Sequence, residues 1–262
     1  MNIKEINCKT ALTSSKLPEA DYCINPYIGC LHKCVYCYAC FMKRFTNHPE
    51  DWGEFLDVKV NAADILNGEL VKKSKRKGSI FLGSVTDVYQ PAEKKFQITR
   101  KILEVLAKYD FPVSILTKSE LVVRDINLLK KISDCEVGLT ITSLNDKISN
   151  IFEPGASIPA KRLDALAILK SSGLKTYAFV GPILPGLTDL KLIIPTLQGK
   201  IDFIMFEALN YGKFNSDKIN LAYTEAGSNI PIFSNINWDE IESEARELSQ
   251  IYRIPVKGFY RH

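Results

Sequence analysis

The sequence predicts an α/β protein built as a partial (β/α)6 barrel. Six short apolar runs recur along the chain, each of the length of a buried strand, and amphipathic segments separate them. Strands and helices that alternate in this way are typical of parallel βαβ units. The predicted strands cover residues 22–28, 79–85, 112–118, 136–142, 175–183 and 202–208.

Amphipathic segments predict the helices that connect these strands. Four of them lie near residues 95–108, 121–132, 159–172 and 188–199. In the third, Leu163, Leu166 and Leu169 recur at helical spacing. A closing helix is predicted over 238–253, with Asn237 as its N-cap.

The remaining segments set the predicted domain organisation. Residues 41–78 form a long first crossover, in which 47–55 reads as loop. The basic run at 72–77 reads as a solvated turn rather than a phosphate-binding patch, because no aromatic residue interrupts it. The simplest division is a core barrel over 1–210 and a C-terminal extension over 211–262 that packs on it.

Composition and charge give no indication of a nucleic-acid-binding, secreted or membrane-spanning protein. The chain has 262 residues and a net charge of +4, too small to indicate nucleic acid on its own. The first nine residues contain no apolar run typical of a signal peptide, and no stretch has the ~20 apolar residues of a membrane span. We therefore expect a cytoplasmic protein without a membrane partner. Its seven cysteines would then be thiols, metal ligands or redox groups rather than disulfides.

Four of these cysteines lie within eleven positions: Cys30, Cys34, Cys37 and Cys40. The first three have the spacing C-x3-C-x2-C, and a loop with these gaps can bring three thiolates to one face. Three thiolates hold three irons of a [4Fe–4S] cluster and leave the fourth iron open. This is the interpretation that we favour.

Other interpretations of the cysteines remain open. The triad Cys34, Cys37 and Cys40 is a rival ligand set. A structural zinc site would need a fourth ligand, for which His32 and Cys40 are the local candidates, and no distant CxxC or HxxxH completes such a site. Unrelated buried thiols are a further alternative.

The cysteine loop carries a resemblance to a known superfamily. C-x3-C-x2-C with an aromatic residue, Tyr36, before the last cysteine is the signature of radical S-adenosyl-L-methionine (SAM) enzymes. Residues 25–39, NPYIGCLHKCVYCYA, resemble the spore photoproduct lyase-like branch, often labelled DNA repair photolyase. The likeness covers roughly residues 21–210 and continues through SVTDVYQPAE, ILTKS, FEP and GPILPGLTD. It implies a barrel of the radical SAM type.

The resemblance also implies a set of SAM-binding residues. The end of the second strand would bind the methionine amine, through Ser84, Thr86 and Asp87. Thr86 or Asp87 as a helix N-cap is the alternative. Lys118, at the end of the third strand, would meet the SAM carboxylate. Arg162 is a second, weaker candidate for a SAM-binding cation; the alternative is that it only pairs with Glu153 or Asp164.

The fourth and fifth strands supply the remaining candidates for SAM binding. Thr140 and Thr142 alternate with Leu139 and Ile141, so both hydroxyls could meet the ribose, although threonine also simply favours strands. Ile183 lies in a stretch that approximates the adenine-contacting segment of the superfamily, with the glycine shifted.

Three residues are candidates for catalysis. Tyr36 and Tyr38 flank the last cysteine, and the matching tyrosines of spore photoproduct lyase are implicated in returning hydrogen to the cofactor radical. Ser84 departs from the lyase, which has a hydrogen-donating cysteine there. Cys40 departs too, because an arginine is usual at that position; it reads as a substitute thiol donor, a spare ligand or, preferably, a packed residue.

Together these observations predict a radical SAM enzyme. We expect it to cleave SAM reductively at a [4Fe–4S] cluster and to abstract hydrogen from an unidentified substrate through a 5′-deoxyadenosyl radical. A low-potential donor such as flavodoxin or ferredoxin would supply the electron. The alternatives are a photolyase-like lyase that repairs nucleic-acid lesions, which the charge does not favour, and a non-catalytic zinc- or iron–sulfur-binding module.

Overall fold

The computed structural model describes residues 2–18, 20–73, 78–229 and 233–261. Most of the predicted basic turn, 74–77, lies outside these residues. The described strands are β1 (Asn2–Ile6), β2 (Leu12–Ser14), β3 (Tyr22–Ile24), β4 (Tyr27–Ile28), β5 (Phe55–Lys59), β6 (Ile80–Leu82), β7 (Val113–Thr117), β8 (Cys135–Thr140), β9 (Lys175–Ile183), β10 (Phe203–Ala208) and β11 (Val256–Tyr260).

Helices alternate with most of these strands. The α-helices are α1 (Ala62–Lys73), α2 (Glu93–Phe96), α3 (Ile98–Leu106), α4 (Ile126–Leu129), α5 (Asp146–Phe152), α6 (Pro159–Ser171), α7 (Leu190–Leu197), α8 (Ser216–Ala226) and α9 (Trp238–Ile251). Short 3-10 helices cover Tyr38–Phe45, Glu120–Asp125 and Phe233–Asn235. The predicted helix near 95–108 is interrupted at Gln97, whose φ of 51° is left-handed, and α2 ends there.

The main sheet has the order β11-β10-β9-β8-β7-β6-β3-β2. All neighbours from β3 to β11 pair in parallel, and β2 runs antiparallel to β3 at one edge. Parallel strands joined by helical crossovers are the units of an α/β barrel. The predicted α/β class is thus confirmed, and the sheet is compatible with a partial barrel.

The first predicted strand, over 22–28, is divided in the structure. Its first half is β3, which pairs with β6, while its second half is β4, which pairs antiparallel with β5 in a small second sheet of order β1-β5-β4. Pro26 lies between the two halves and has no N–H to donate to a ladder, so one continuous strand is disfavoured there. The chain is thereby directed out of the barrel sheet just before the cysteine loop.

The C-terminal segment adds a strand to the main sheet. Helix α9 is followed by β11, which pairs in parallel with β10 and lengthens the main sheet. The paired edge leaves fewer unsatisfied backbone groups on β10. We propose that the chain divides near residue 210, with an extension that contributes this last strand.

A row of apolar side chains holds the sheet to its helices. Ile24, Leu82, Ile115 and Val137 are register partners on successive parallel strands, and each is fully buried. Each of these strands reads as a short apolar run, which is why the sequence predicted it. The row fixes where the carboxyl ends of β6, β7 and β8 lie.

Among the described residues, no helix combines the length and the apolar character that crossing a membrane requires.

Candidate functional site

A cavity of about 740 Å³ opens at the carboxyl ends of the parallel strands. In α/β barrels this end carries the functional groups. Most of the predicted site residues line it together: Cys30, Cys34, Tyr36, Cys37, Tyr38, Ser84, Thr86, Asp87, Lys118 and Thr140. Four predicted residues are absent from the described lining: Cys40, Thr142, Arg162 and Ile183.

The cysteine loop folds into consecutive turns. Cys37 N–H donates to the Cys34 carbonyl at 3.1 Å, and Lys33 N–H donates to the Cys30 carbonyl at 3.4 Å. Lys33 adopts a left-handed φ of 55° to close the first turn. Gly29 enters the loop with a φ of 99°, where a Cβ would stand 2.5 Å from the Phe55 carbonyl oxygen. The loop therefore presents its three thiols to the cavity.

The three loop thiols are chemically suited to bind iron. All are free, and burial raises the pKa of each, for Cys34 to about 12. Iron binds the thiolate, so binding must displace the proton, and nearby positive charge favours this. Lys118 supplies such charge: burial lowers its pKa, but Cys34, Glu153 and Asp87 together raise it above its usual value. The lysine therefore carries an ammonium.

The arrangement does not resemble a zinc site. Within the described ranges, no group of three or more His, Cys, Asp or Glu side chains could hold one metal ion. His32 Nδ1 lies 3.2 Å from an oxygen of Asp87, and Cys40 Sγ lies 3.8 Å from the Tyr38 carbonyl oxygen. A zinc ion needs four ligands around one point, whereas a cube spreads three thiolates over three irons. Three thiols that line one cavity, with no fourth ligand beside them among the described residues, fit the cluster better.

Asp87 holds the cysteine loop against the strand ends. Its carboxylate accepts hydrogen bonds from Thr117 Oγ1 at 2.7 Å, Lys118 N at 2.8 Å and Tyr89 N at 2.8 Å. Burial raises the pKa of Asp87, but His32, the Thr117 hydroxyl and the Lys118 backbone N–H lower it by more, so the pKa lies well below its usual value. The carboxylate is already committed to four neighbours, which favours a positioning role over the predicted amine-binding role.

The two hydroxyls near Asp87 are also engaged. Thr86 Oγ1 donates to the Gly29 carbonyl at 2.6 Å and accepts from Gln90 Nε2 at 3.0 Å. Ser84 Oγ accepts from Asn25 Nδ2 at 3.0 Å, and the Tyr38 hydroxyl donates to the Ser84 carbonyl. These side chains line the cavity, but their polar groups bind the loop that leads to the cysteines.

Arg162 does not belong to the described lining of the cavity, so the prediction that it binds SAM is withdrawn. Its side chain is fully buried and forms an ion pair with Glu153. It also donates to the carbonyls of Ser157 at 2.6 Å and Thr140 at 3.0 Å. The alternative given from the sequence, pairing with Glu153, is what the structure shows.

Glu153 is the residue on which this part of the site converges. It accepts hydrogen bonds from the Tyr36 hydroxyl and from Thr142 Oγ1, the latter at 2.8 Å. Burial raises its pKa, but Arg162, Lys118 and the Tyr36 hydroxyl outweigh burial and lower the pKa to about 2. The prediction of Thr142 as a ribose ligand is therefore withdrawn, because it lies two residues beyond the end of β8 and its hydroxyl donates to Glu153.

Of the two threonines, Thr140 is the one that lines the cavity. Its Oγ1 is buried and has no hydrogen-bond partner among the described residues. A buried hydroxyl is rarely left unpaired in a native protein, so this atom fits a polar ligand in the cavity. Ile183 is also corrected: it ends β9 in the apolar core, and Gly181 and Pro182 line the cavity instead.

Residues in and just after the FEP stretch hold the cysteine loop through backbone hydrogen bonds, a role that the sequence did not predict. Val35 N–H donates to the Phe152 carbonyl at 3.0 Å, and Gly155 N–H donates to the His32 carbonyl at 2.9 Å. A Cβ on Gly155 would lie 2.1 Å from the Leu31 carbonyl oxygen. The glycine two residues after Glu153 was the available signal, because backbones approach this closely only at glycine.

Comparisons with known proteins identify the family of this chain. The Radical SAM superfamily model matches residues 24–193. An uncharacterised protein of Methanocaldococcus jannaschii is 43% identical over 210 residues, which cover 80% of this chain and 78% of that protein. An uncharacterised Mycobacterium tuberculosis protein is 33% identical over 207 residues, which cover 75% of this chain and 60% of that protein.

A solved structure supports the fold independently. It is a variant of spore photoproduct lyase with bound AdoMet and a dinucleoside spore photoproduct, with a TM-score of 0.72 and 19% identity. The match covers 99% of this chain and 81% of the lyase chain. The sequence match to the family and this shared fold identify the chain as an enzyme that belongs to the radical SAM superfamily.

Proposed function

We propose that this chain binds a [4Fe–4S] cluster through Cys30, Cys34 and Cys37 and binds SAM in the adjoining cavity. When bound, the cluster supplies the electron that cleaves SAM, and the resulting 5′-deoxyadenosyl radical abstracts hydrogen from a substrate. The observation that supports this most is that three free thiols, a lysine ammonium and an unpaired buried hydroxyl line one cavity. A low-potential flavodoxin or ferredoxin is the proposed donor.

The cavity residues have separable roles in this proposal. Lys118 offers its ammonium to the SAM carboxylate in a charge-assisted contact, and its Nζ lies 5.6 Å from the centre of the Tyr36 ring. Thr140 offers its hydroxyl to a polar group of SAM. Leu116, Phe179 and Leu209 contribute to an apolar wall that excludes water from a reactive intermediate.

The substrate stays unassigned in this proposal. The related lyase structure contains a dinucleoside photoproduct, but here the cavity wall presents Ser84 where the lyase has its hydrogen-donating cysteine. A serine O–H bond is too strong to donate a hydrogen atom readily. Lesion repair by the route of the lyase is therefore not our proposal, although a nucleic-acid substrate handled differently is compatible with the site.

Anaerobic reconstitution with iron and sulfide tests the proposed function. We expect about four irons per chain and the brown colour of a cluster, and, with dithionite and SAM, 5′-deoxyadenosine and methionine. A zinc-binding module would remain colourless and leave SAM intact. Iron-free protein under these conditions, or a loaded cluster that never cleaves SAM, would overturn the proposal.

Substituting Thr140 by valine is expected to weaken SAM binding about three- to tenfold, the effect of one lost hydrogen bond. Valine keeps the shape and removes a hydroxyl that has no partner among the residues that the structure describes. We therefore expect the stability without SAM to stay the same or rise slightly. Titration calorimetry with reconstituted protein measures the affinity.

Thr142→Val is the matched control for this measurement. It removes the hydrogen bond to the buried Glu153 carboxylate, so it should cost about 1.5–3 kcal/mol of stability and leave SAM affinity within twofold. If Thr142→Val weakens SAM binding and Thr140→Val does not, the SAM-binding hydroxyl has been assigned to the wrong threonine.

A further inference from the structure

The indole of Trp52 presents an unsatisfied donor beside the cysteine loop. Its Nε1 is buried and, within the residues that the structure describes, has no hydrogen-bond partner of ordinary geometry. Buried donors in native proteins are nearly always paired. No step of the proposed function uses this group, so its partner has to be sought among the atoms around it.

The surroundings of Trp52 point to Cys37. Trp52 packs with Ala39 and Phe55 in a small buried cluster that Cys30 and Cys37 contact. A second cavity, of about 250 Å³, is lined by Trp52 together with Cys34 and Cys37. Among the three proposed cluster ligands, Cys37 alone borders both the buried cluster and this cavity; Cys40 also borders both but is not a proposed ligand. The Cys37 sulfur is therefore the acceptor to consider for the Trp52 N–H.

The indole ring of Trp52 is held in place by its neighbours. Its ring meets Phe55 edge-on, with centroids 5.8 Å apart and planes at 84°. Phe55 in turn stacks on His48 at 4.0 Å, and His48 Nε2 lies 2.9 Å from an oxygen of Asp57. These contacts hold the indole ring in place before any cofactor binds, which lowers the cost of ordering it for a hydrogen bond.

We propose that the Trp52 indole N–H donates a hydrogen bond to the Cys37 sulfur when that sulfur is a cluster ligand, and so raises the reduction potential of the cluster. The inference rests on the proposed cluster at Cys30, Cys34 and Cys37. A thiolate is a stronger acceptor than the thiol, because hydrogen bonds to charged groups are stronger. Reduction adds negative charge, which this donor stabilises, and hydrogen bonds to cluster sulfurs are known to set potentials.

Trp52→Phe tests the proposal because it removes the N–H and keeps an aromatic ring. We expect reduction to become about tenfold less favourable, which is ~59 mV lower for a one-electron couple, in a redox titration followed by electron paramagnetic resonance. Trp238→Phe is the matched control, since it makes the same change at the other of the two tryptophans. Its potential should equal that of the wild type.

Labelling the indoles of the unsubstituted protein with 15N gives a measurement that does not depend on any variant. Electron–nuclear double resonance of the reduced cluster should show a coupling to an indole nitrogen and to its exchangeable proton. The coupling should persist in Trp238→Phe. A loaded cluster without it, or an unchanged potential in Trp52→Phe, overturns the proposal, whereas a wild type that loads no iron overturns the proposed function instead.

Discussion

Replacing Cys34 by alanine is expected to abolish both iron loading and the formation of 5′-deoxyadenosine. Iron content should fall from about four atoms per chain to background, because two thiolates do not retain a cluster that three hold. Cys34 is common to both candidate triads and lines the cavity. Iron analysis after anaerobic reconstitution, together with chromatography of the SAM products, measures the two losses.

Cys40→Ala is the control, and Cys30→Ala distinguishes the triads. The thiol of Cys40 contacts the Tyr38 carbonyl oxygen at 3.8 Å and does not belong to the described lining of the main cavity. Its loss should leave iron content near the wild-type value. If the Cys40 variant loses iron while the Cys30 variant keeps it, the rival triad of Cys34, Cys37 and Cys40 is the ligand set.

Replacing Glu153 by glutamine is expected to lower the free energy of unfolding by about 3–5 kcal/mol, the cost of breaking a buried ion pair from one side. The two side chains of the Glu153–Arg162 pair are each only 1% exposed, so the guanidinium would be left without a counter-charge away from water. The Tyr36 hydroxyl would also lose its ionised acceptor. Urea unfolding of the iron-free protein measures the effect without a contribution from the cluster.

A neighbouring exposed pair provides the comparison. Lys161 precedes Arg162 on the same helix and lies 3.1 Å from Glu120, with side chains 58% and 35% exposed. Lys161→Ala should cost no more than about 1 kcal/mol. Combining Glu153→Gln with Arg162→Met removes the stranded charge and should recover part of the loss. Equal costs for Glu153→Gln and Lys161→Ala would show that the buried pair contributes little.

The parallel strands could be predicted because each reads as a short apolar run. Strand β5 was missed because Asp57 interrupts its pattern, and only the fold reveals that His48 pairs with this carboxylate. Strand β11 was missed because VKGFY is short and contains a charge and a glycine. Both strands owe their existence to a neighbour far away in sequence, which local periodicity does not report.

The candidate site shows the same limit. Lys118 was predicted from its place at a strand end, and strand ends meet at one edge whatever their partners. Arg162 was misjudged because its charge is visible in the sequence but its partner is not. Thr140 and Thr142 share a face in an extended strand, yet β8 ends at Thr140, and the two hydroxyls then serve different groups.

The contacts of Phe152 and Gly155 with the cysteine loop have a thermodynamic consequence. Their backbone hydrogen bonds to Val35 and His32 join the loop to a segment about 120 residues later in the chain. If metal loading stabilises the cysteine loop, it also stabilises the segment that is hydrogen-bonded to the loop, because the coupling between two linked segments is equal in both directions. Loading should therefore slow proteolytic cleavage at the turn between α5 and α6, a stretch that touches no iron.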